Sequence, residues 1–271
     1  YQAVLLYRAA LEERAPNAVR SMLRIQRQVD APTMIELSAK VRRDRQPESR
    51  VAAEFVRSRW GVLAHNDEES TVQRLTRTTA EHLFLVAISL AAAIAVAIPL
   101  GVAAAYHPRL GQWVLSLVGV VQTLPSMALL VFMIPLFGLG PRPAIAALFL
   151  YSLLPIVRNT HSGLCQIPQA LRESAEVLGL SSWARLRLVD IPLAMPSILA
   201  GIKTAAVINV GTATIGALIG AGGYGAPILT GIRLSDFGLI LQGALPAAML
   251  ALLVQYAFGV IERWGMPPSR E

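Results

Sequence analysis

The chain has 271 residues, 54% of them hydrophobic and only 15% charged, with a net charge of +7. The basic excess does not point to nucleic acid, because Lys and Arg are interleaved with acids over residues 1–81 and sit at the ends of apolar runs thereafter. Cys165 is the only cysteine, which excludes an intrachain disulfide and a cysteine metal cluster.

The uneven spread of apolar residues divides the chain into a soluble piece and a membrane piece. Tyr1 to Arg8 is a β-rich apolar run of strand length. Ala15 to Val29 has helical spacing at Val19, Leu23 and Ile25. Thr33 to Glu36 has the capping-box pattern and opens a helix through Val41. Pro47 to Trp60 carries Val51, Ala52, Phe55 and Val56 at helical spacing. The first region therefore reads as one strand and three helices. It starts with Tyr1 and has no charged-then-apolar leader, so the chain is expected to begin inside a longer natural one. Gly61 to Ala80, acidic around Asp67 to Glu69, reads as a linker or an amphipathic lead-in.

Leu83 to Ala105 carries no charge and is long enough to cross a bilayer core of roughly 30 Å at about 1.5 Å per residue. Trp113 to Phe137 forms a second run, interrupted by Gln122-Thr123-Leu124-Pro125-Ser126. That break is either a kink or a segment lining a pathway, since irregular backbone at membrane depth faces protein or water. Pro141-Arg142-Pro143 reads as a tight external turn. Ala144 to Val157 is short for a span and is expected to extend on either side. Ser197 to Gly220 is apolar except for Lys203, which can snorkel to the interface. Small residues beside Asn209, Thr212 and Thr214 allow close helix packing. Ala221 to Gly225 breaks that helix, and Phe237 to Ile261 is the last run. The Gly-rich break is not a phosphate loop, because no Lys-Ser or Lys-Thr follows it. Polarity and depth mark Gln122, Thr123, Ser126, Asn209, Thr212 and Tyr224 as pathway candidates.

Between the third and fourth runs lies a basic island, Gln169 to Pro196. Pro168 suits a helix start and Gly179 the position just past its end. Ser181 or Ser182 can cap a second short helix, and Pro192 and Pro196 mark where that helix stops. Glu173 and Glu176 fall on the first helix, Arg185 and Arg187 on the second.

Glu173-Ser174-Ala175, then Gly179, then Val189-Asp190-Ile191-Pro192 resembles the EAA signature of ABC importer permeases. All spacings are kept, with Ser174, Val189 and Ile191 in place of Ala, Ile and Leu. The resemblance implies that Glu173, Ala175, Gly179, Val189, Ile191 and Pro192 belong to a coupling loop that docks on an ATPase. From Glu81 to Arg263 the chain is similar to permeases of osmoprotectant importers of the glycine betaine/carnitine/choline type. The carrying residues are Glu81-His82-Leu83, Ile98-Pro99-Leu100-Gly101, Val121 to Ser126, Tyr151 to Thr160, Gly211 to Thr214 and Gly220 to Gly225. Met34, Leu37, Val41, Val51, Ala52 and Phe55 resemble the C-terminal end of the substrate-binding domain of the same importers, with Ser38 where Asn is usual. A helical extension without a ligand role is the other reading of that region.

The resemblance implies an all-α membrane protein, a type I ABC importer transmembrane domain of about five helices, preceded by a small extracytoplasmic α/β remnant. It divides the chain into 1–60, the end of a solute-binding domain, 61–80, a linker, and 81–265, the permease domain. It implies three partners: a cytoplasmic ATPase, a second permease copy or paralogue, and a solute-binding domain fused ahead of the permease. ATP and Mg would sit on the ATPase, with no cofactor, metal or catalytic residue on this chain. The setting would be the bacterial inner membrane and its lipid, with the N-terminus outside and the C-terminus in the cytoplasm. The importer cycle it implies is ATP-driven closure of the ATPases, transmitted through the loop. Rival readings are a type I importer for an amino acid such as methionine, and a membrane-anchored solute sensor. A membrane enzyme is disfavoured, since the runs hold no cluster of carboxylates, His or Cys.

Overall fold

The computed structural model describes residues 7–24, 28–44, 46, 48–62 and 70–265. They fall into two compact units, divided between residues 69 and 70.

The first unit contains four helices: α1 (Ala10–Arg14), α2 (Pro16–Leu23), α3 (Ala31–Arg42) and α4 (Glu48–Trp60). The described residues of this unit include helices and no strand, which does not support the α/β remnant. The expected strand over Tyr1 to Arg8 lies outside the described residues, apart from Tyr7 and Arg8, which are not extended into a ladder. α3 begins before the expected capping box. Asp30 takes the cap, accepting from the Thr33 amide at 2.9 Å, and Pro32 sits in the first turn where a missing N–H costs nothing. Phe55 and Trp60 meet edge to face on α4, with ring centroids 5.7 Å apart.

The second unit opens with α5 (Thr71–Tyr106). Ser70 and Gln73 close a capping box, each side chain bonding the other residue's amide at 3.2 and 3.0 Å. Much of the expected lead-in is therefore the first turns of this helix. α6 (Pro108–Thr123) and α7 (Ser126–Phe137) follow, bent by 101° at the break between them. Pro125 cannot continue the ladder. The Leu124 carbonyl at the break accepts the Tyr151 hydroxyl from α8 (Pro141–Cys165), which satisfies it. The turn expected at Pro141 to Pro143 lies at Gly138 and Gly140, both at positive φ, and Pro141 to Pro143 form the first turn of α8 instead.

α9 (Gln169–Val177) and α10 (Ser182–Arg185) form the island. α10 then passes through a π turn, Leu186–Asp190, into α11 (Ile191–Ala213). Pro192 and Pro196 thus open a long helix rather than ending a short one. The Ile191 amide reaches back to the Leu186 carbonyl, five residues away, and the widened turn accommodates a proline that a tight α turn would reject. A 3₁₀ turn, Thr214–Ile219, leads to the Gly-rich loop, and α12 (Gly225–Leu234) and α13 (Phe237–Gly265) complete the unit. α12 has no counterpart among the expected elements.

Among the described residues, four helices are long and apolar enough to cross a membrane, and the bent α6–α7 pair makes five if it is one span. α8 is the centre of the packing. A Cβ on Gly101 of α5 would stand 2.6 Å from the Thr160 Cβ. On the other side, one on Gly163 would stand 2.6 Å from the Ser197 Cβ of α11. Small residues let three backbones approach where lipid supplies no hydrophobic drive. Ala93, Ala97, Ala205 and Ala194 extend the same seam around Ile156, Val157 and Leu164.

Candidate functional site

The island forms an exposed helix pair with a defined turn. The Gly179 amide donates to the Glu176 carbonyl at 2.9 Å and the Leu180 amide to the Ala175 carbonyl at 3.1 Å. This is the Schellman closure, with Gly179 at φ 77° supplying the left-handed residue it needs. Ser181, not Ser182, caps α10, accepting from the Ala184 amide at 3.3 Å. Glu173 is exposed and accepts from the Gln169 side chain at 2.8 Å. Ala175 is buried, Val189 and Ile191 half-buried, and Pro192 exposed. Val177, Leu178 and Trp183 stand 89%, 79% and 70% exposed around the turn. So much apolar surface at the tip of a polar loop marks a contact surface.

Beneath the turn, Asp190 is completely buried. Its Oδ2 accepts the Tyr106 hydroxyl from the end of α5 and lies 3.6 Å from Arg185 Nε. Its Oδ1 lies 3.8 Å from Arg172 Nε. Arg172 also donates to the Leu164 carbonyl at 2.6 Å, and Arg185 pairs with Glu176 across the turn. A buried carboxylate demands such partners. This anchor was not singled out from sequence as a unit. The available signal was one acid, Asp190, between apolar Val189 and Ile191, with two arginines nearby in the chain. Tyr106 carried no signal.

The pathway candidates part company. Ser126 and Thr212 line one small cavity, with Leu130, Leu148 and Tyr151. Gln122 and Thr123 end α6 and are not part of that lining, and the Thr123 hydroxyl donates to the Val120 carbonyl of its own helix at 2.7 Å. Asn209 is buried and donates to Ser89 Oγ at 3.1 Å, joining α11 to α5. Tyr224 is buried as well. Its ring packs on His82, centroids 4.6 Å apart, and its hydroxyl donates to Thr79 at 3.0 Å. The neighbouring Gly223 amide donates to Glu81 at 2.8 Å, and His82 Nε2 meets the Val210 carbonyl at 3.0 Å. The Gly-rich loop is thereby clasped to the first third of α5. Lys203 is not a lone snorkelling cation, since it pairs with Glu262 of α13 at 3.1 Å. No group of three or more His, Cys, Asp or Glu that could hold a metal occurs among the described residues.

A family model of binding-protein-dependent transport system inner membrane components matches residues 97–264. The chain belongs to this family. The match takes in the helix pair, the anchoring Asp190 and every pathway candidate. Among relatives, the glycine betaine/carnitine/choline transport system permease protein OpuCB of Bacillus subtilis is 45% identical over 185 residues, 68% of this chain and 85% of the relative. The osmoprotectant import permease protein OsmW of Salmonella typhimurium is 46% identical over 187 residues, 67% of this chain and 87% of the relative. A solved inward-facing structure of the MetNI methionine ABC transporter shares the fold with a TM-score of 0.66. It has 23% identity and covers 72% of this chain and 98% of that one. The family places this chain among multi-pass inner membrane proteins, and the all-helical type I importer fold agrees.

Proposed function

We propose that this chain is the permease subunit of an ATP-driven importer for a compatible solute, a quaternary ammonium such as glycine betaine, choline or carnitine. The observation that carries the solute is the set of relatives above 40% identity, whose names cite these compounds or osmoprotectants. The helix pair at Glu173 to Pro192 is the ATPase-coupling loop. Its exposed Val177, Leu178 and Trp183 are the docking surface, and the Schellman turn at Gly179 keeps that surface in one shape.

ATP and Mg belong to the partner ATPase, and this chain binds no cofactor. Closure of two ATPases pushes two copies of the loop, so the subunit works as a pair, with itself or with a paralogue. The loop lies in the cytoplasm, the N-terminal side of α5 outside and the C-terminus inside. Arg109, Arg158, Arg172, Arg185, Arg187 and Arg263 would then lie inside and Arg142 and Arg233 outside, as the positive-inside rule favours. The cavity of Ser126, Thr212 and Tyr151 is the part of the pathway this subunit contributes; it offers hydroxyls and apolar surface and no charge. Residues 1–60 are the end of a fused solute-binding domain, linked to the permease through 61–80. Exposed Met34 and Ile35 on α3 suit a helix that packs against further protein.

The test is ATP-dependent uptake in liposomes containing this chain, its ATPase and a solute-binding component, with the three quaternary ammonium compounds set against a panel of amino acids. Uptake of quaternary ammonium alone is expected. Uptake of methionine or another amino acid instead overturns the solute. No uptake and no bound ATPase overturns the importer in favour of a sensor.

A further inference from the structure

Asp190 closes the π turn with helical backbone that continues into α11, and its side chain bonds none of that helix's amides. The carboxylate turns instead to Tyr106, the last residue of α5. It also faces Arg172 of α9 and Arg185 of α10. One buried group therefore meets both helices of the loop and the end of a span. The π turn that carries it is a device found at functional sites more often than in plain helices.

The cluster is paired in charge but not saturated in hydrogen bonds. Asp190 Oδ1, Arg172 Nε and Arg185 Nε are all buried and lack hydrogen-bond partners among the described residues. The two arginine nitrogens stand just outside bonding range of the carboxylate, at 3.8 and 3.6 Å. A displacement of a few tenths of an ångström would close either bond. Transmission between sites requires an element with two discrete arrangements, and closure of the carboxylate on Arg172 or on Arg185 would supply them.

We propose that Asp190 and Tyr106 form the joint through which the coupling loop moves α5. Asp190 is a positioning residue in transport, acting through Tyr106 and the two arginines. The inference rests on the importer reading. It adds that the loop drives α5 directly, side chain to side chain, and not only through the chain connections into α8 and α11.

Two measurements test it. In liposomes with the ATPase and the solute-binding component, Asp190→Asn and Tyr106→Phe are compared with Asp190→Glu for solute moved per ATP hydrolysed. Loss of a charge-assisted hydrogen bond is expected to lower that ratio on the order of tenfold in each of the first two, with hydrolysis retained. The double variant should be no worse than Asp190→Asn alone, because Tyr106 acts through that carboxylate. Asp190→Glu should recover part of the ratio. An unchanged ratio in Tyr106→Phe, or a fall in hydrolysis and uptake by the same factor, overturns the joint. If Asp190→Asn does not insert, Tyr106→Phe decides, since it keeps the ring and loses only the hydroxyl. The second measurement needs no solute. Spin labels at Arg109→Cys and Leu178→Cys, in a Cys165→Ala background, report the separation of the loop from the α5–α6 corner. The distance distribution should broaden in Tyr106→Phe, and an unchanged distribution overturns the proposal. If the unmodified complex moves no solute while the label distances respond to Tyr106→Phe, the importer reading fails and the joint stands.

Discussion

Gly201 faces Pro155 so closely that a Cβ on it would stand 2.7 Å from the Pro155 carbonyl oxygen. The contact joins α11 to α8, and the obstacle is backbone, which cannot rotate aside. Gly201→Val is expected to cost about 1–3 kcal/mol through forced separation of the two helices. The measurement is the thermal midpoint of the purified permease, with Gly211→Ala, which meets nothing within 4 Å, as the control that stays close to the parent.

Gly179 holds φ 77° and donates its amide to the Glu176 carbonyl. Gly179→Pro loses both, at a cost of about 3 kcal/mol in the turn. We expect the protein to insert and the ATPase to hydrolyse ATP while solute uptake is lost. Glu173→Lys should behave alike by reversing a charge on the docking surface, with the fold intact because Glu173 is exposed. Normal uptake by both variants would remove the loop from the mechanism.

Around the Gly-rich loop the order of damage is fixed by distance. A Cβ on Gly225 would stand 1.8 Å from the Thr214 carbonyl oxygen, and one on Gly223 3.0 Å from His82 Nδ1. Tyr224→Phe loses only the hydrogen bond to Thr79, worth about 1 kcal/mol. Stability measured by fluorescence-detected size exclusion after heating should therefore fall in the order Tyr224→Phe, Gly223→Ala, Gly225→Ala, the last worst. A Gly225→Ala protein as stable as Tyr224→Phe would show that the loop packs differently.

Lys203 and Glu262 are partly buried, 29% and 22% exposed in their side chains. Lys203→Met alone leaves Glu262 facing an apolar wall, and about 1 kcal/mol is expected to be lost once partial solvent screening is allowed for. Lys203→Met with Glu262→Leu should regain most of it. A double-mutant cycle on thermal midpoints reads the coupling.

The Asp30 carboxyl is lowered from its ordinary value because its side chain accepts from Thr33. Its folded value is lower than its unfolded one, so its contribution to α3 is present above the ordinary carboxylate range and disappears as pH falls through the lowered value. Hydrogen exchange at the Thr33 amide should quicken, relative to its intrinsic rate, over that acidic window, and Asp30→Asn should remove the dependence.

The spans and the helix pair were legible in the sequence because both are local signals: uncharged runs, and a glycine and a serine at the two ends of a turn. Gly179 and Ser181 act as their chemistry suggests. Pro192 misleads because a π turn leaves no mark in sequence, and proline then reads as a stop. α3 starts early because Asp30 and Thr33 both suit caps, and Pro32 fits the first turn only when Asp30 is the cap. α12 escapes because it is a short apolar stretch inside a larger one, bounded by Gly225 and a left-handed Ser235. The Asp190 anchor is the least legible of all, since Tyr106 is far from it in the chain and no periodicity connects them. Tyr224 shows the same limit from the other side: its depth suggested a pathway, and its neighbours Thr79 and His82 give it a packing role.

α5 is tied at one end to Asp190 and near the other to Gly223 and Tyr224. Thr79 and Tyr106 are about 40 Å apart along the helix axis at 1.5 Å per residue. A rod fastened twice cannot spin about its own axis without dragging both fastenings, so which of its faces meets protein and which meets lipid is fixed. Natural exchanges along it should therefore come in sets: size changes at Thr79 accompanied by changes at Tyr224, and loss of the hydroxyl at Tyr106 accompanied by loss of the acid at Asp190, with the lipid-facing positions between them drifting freely.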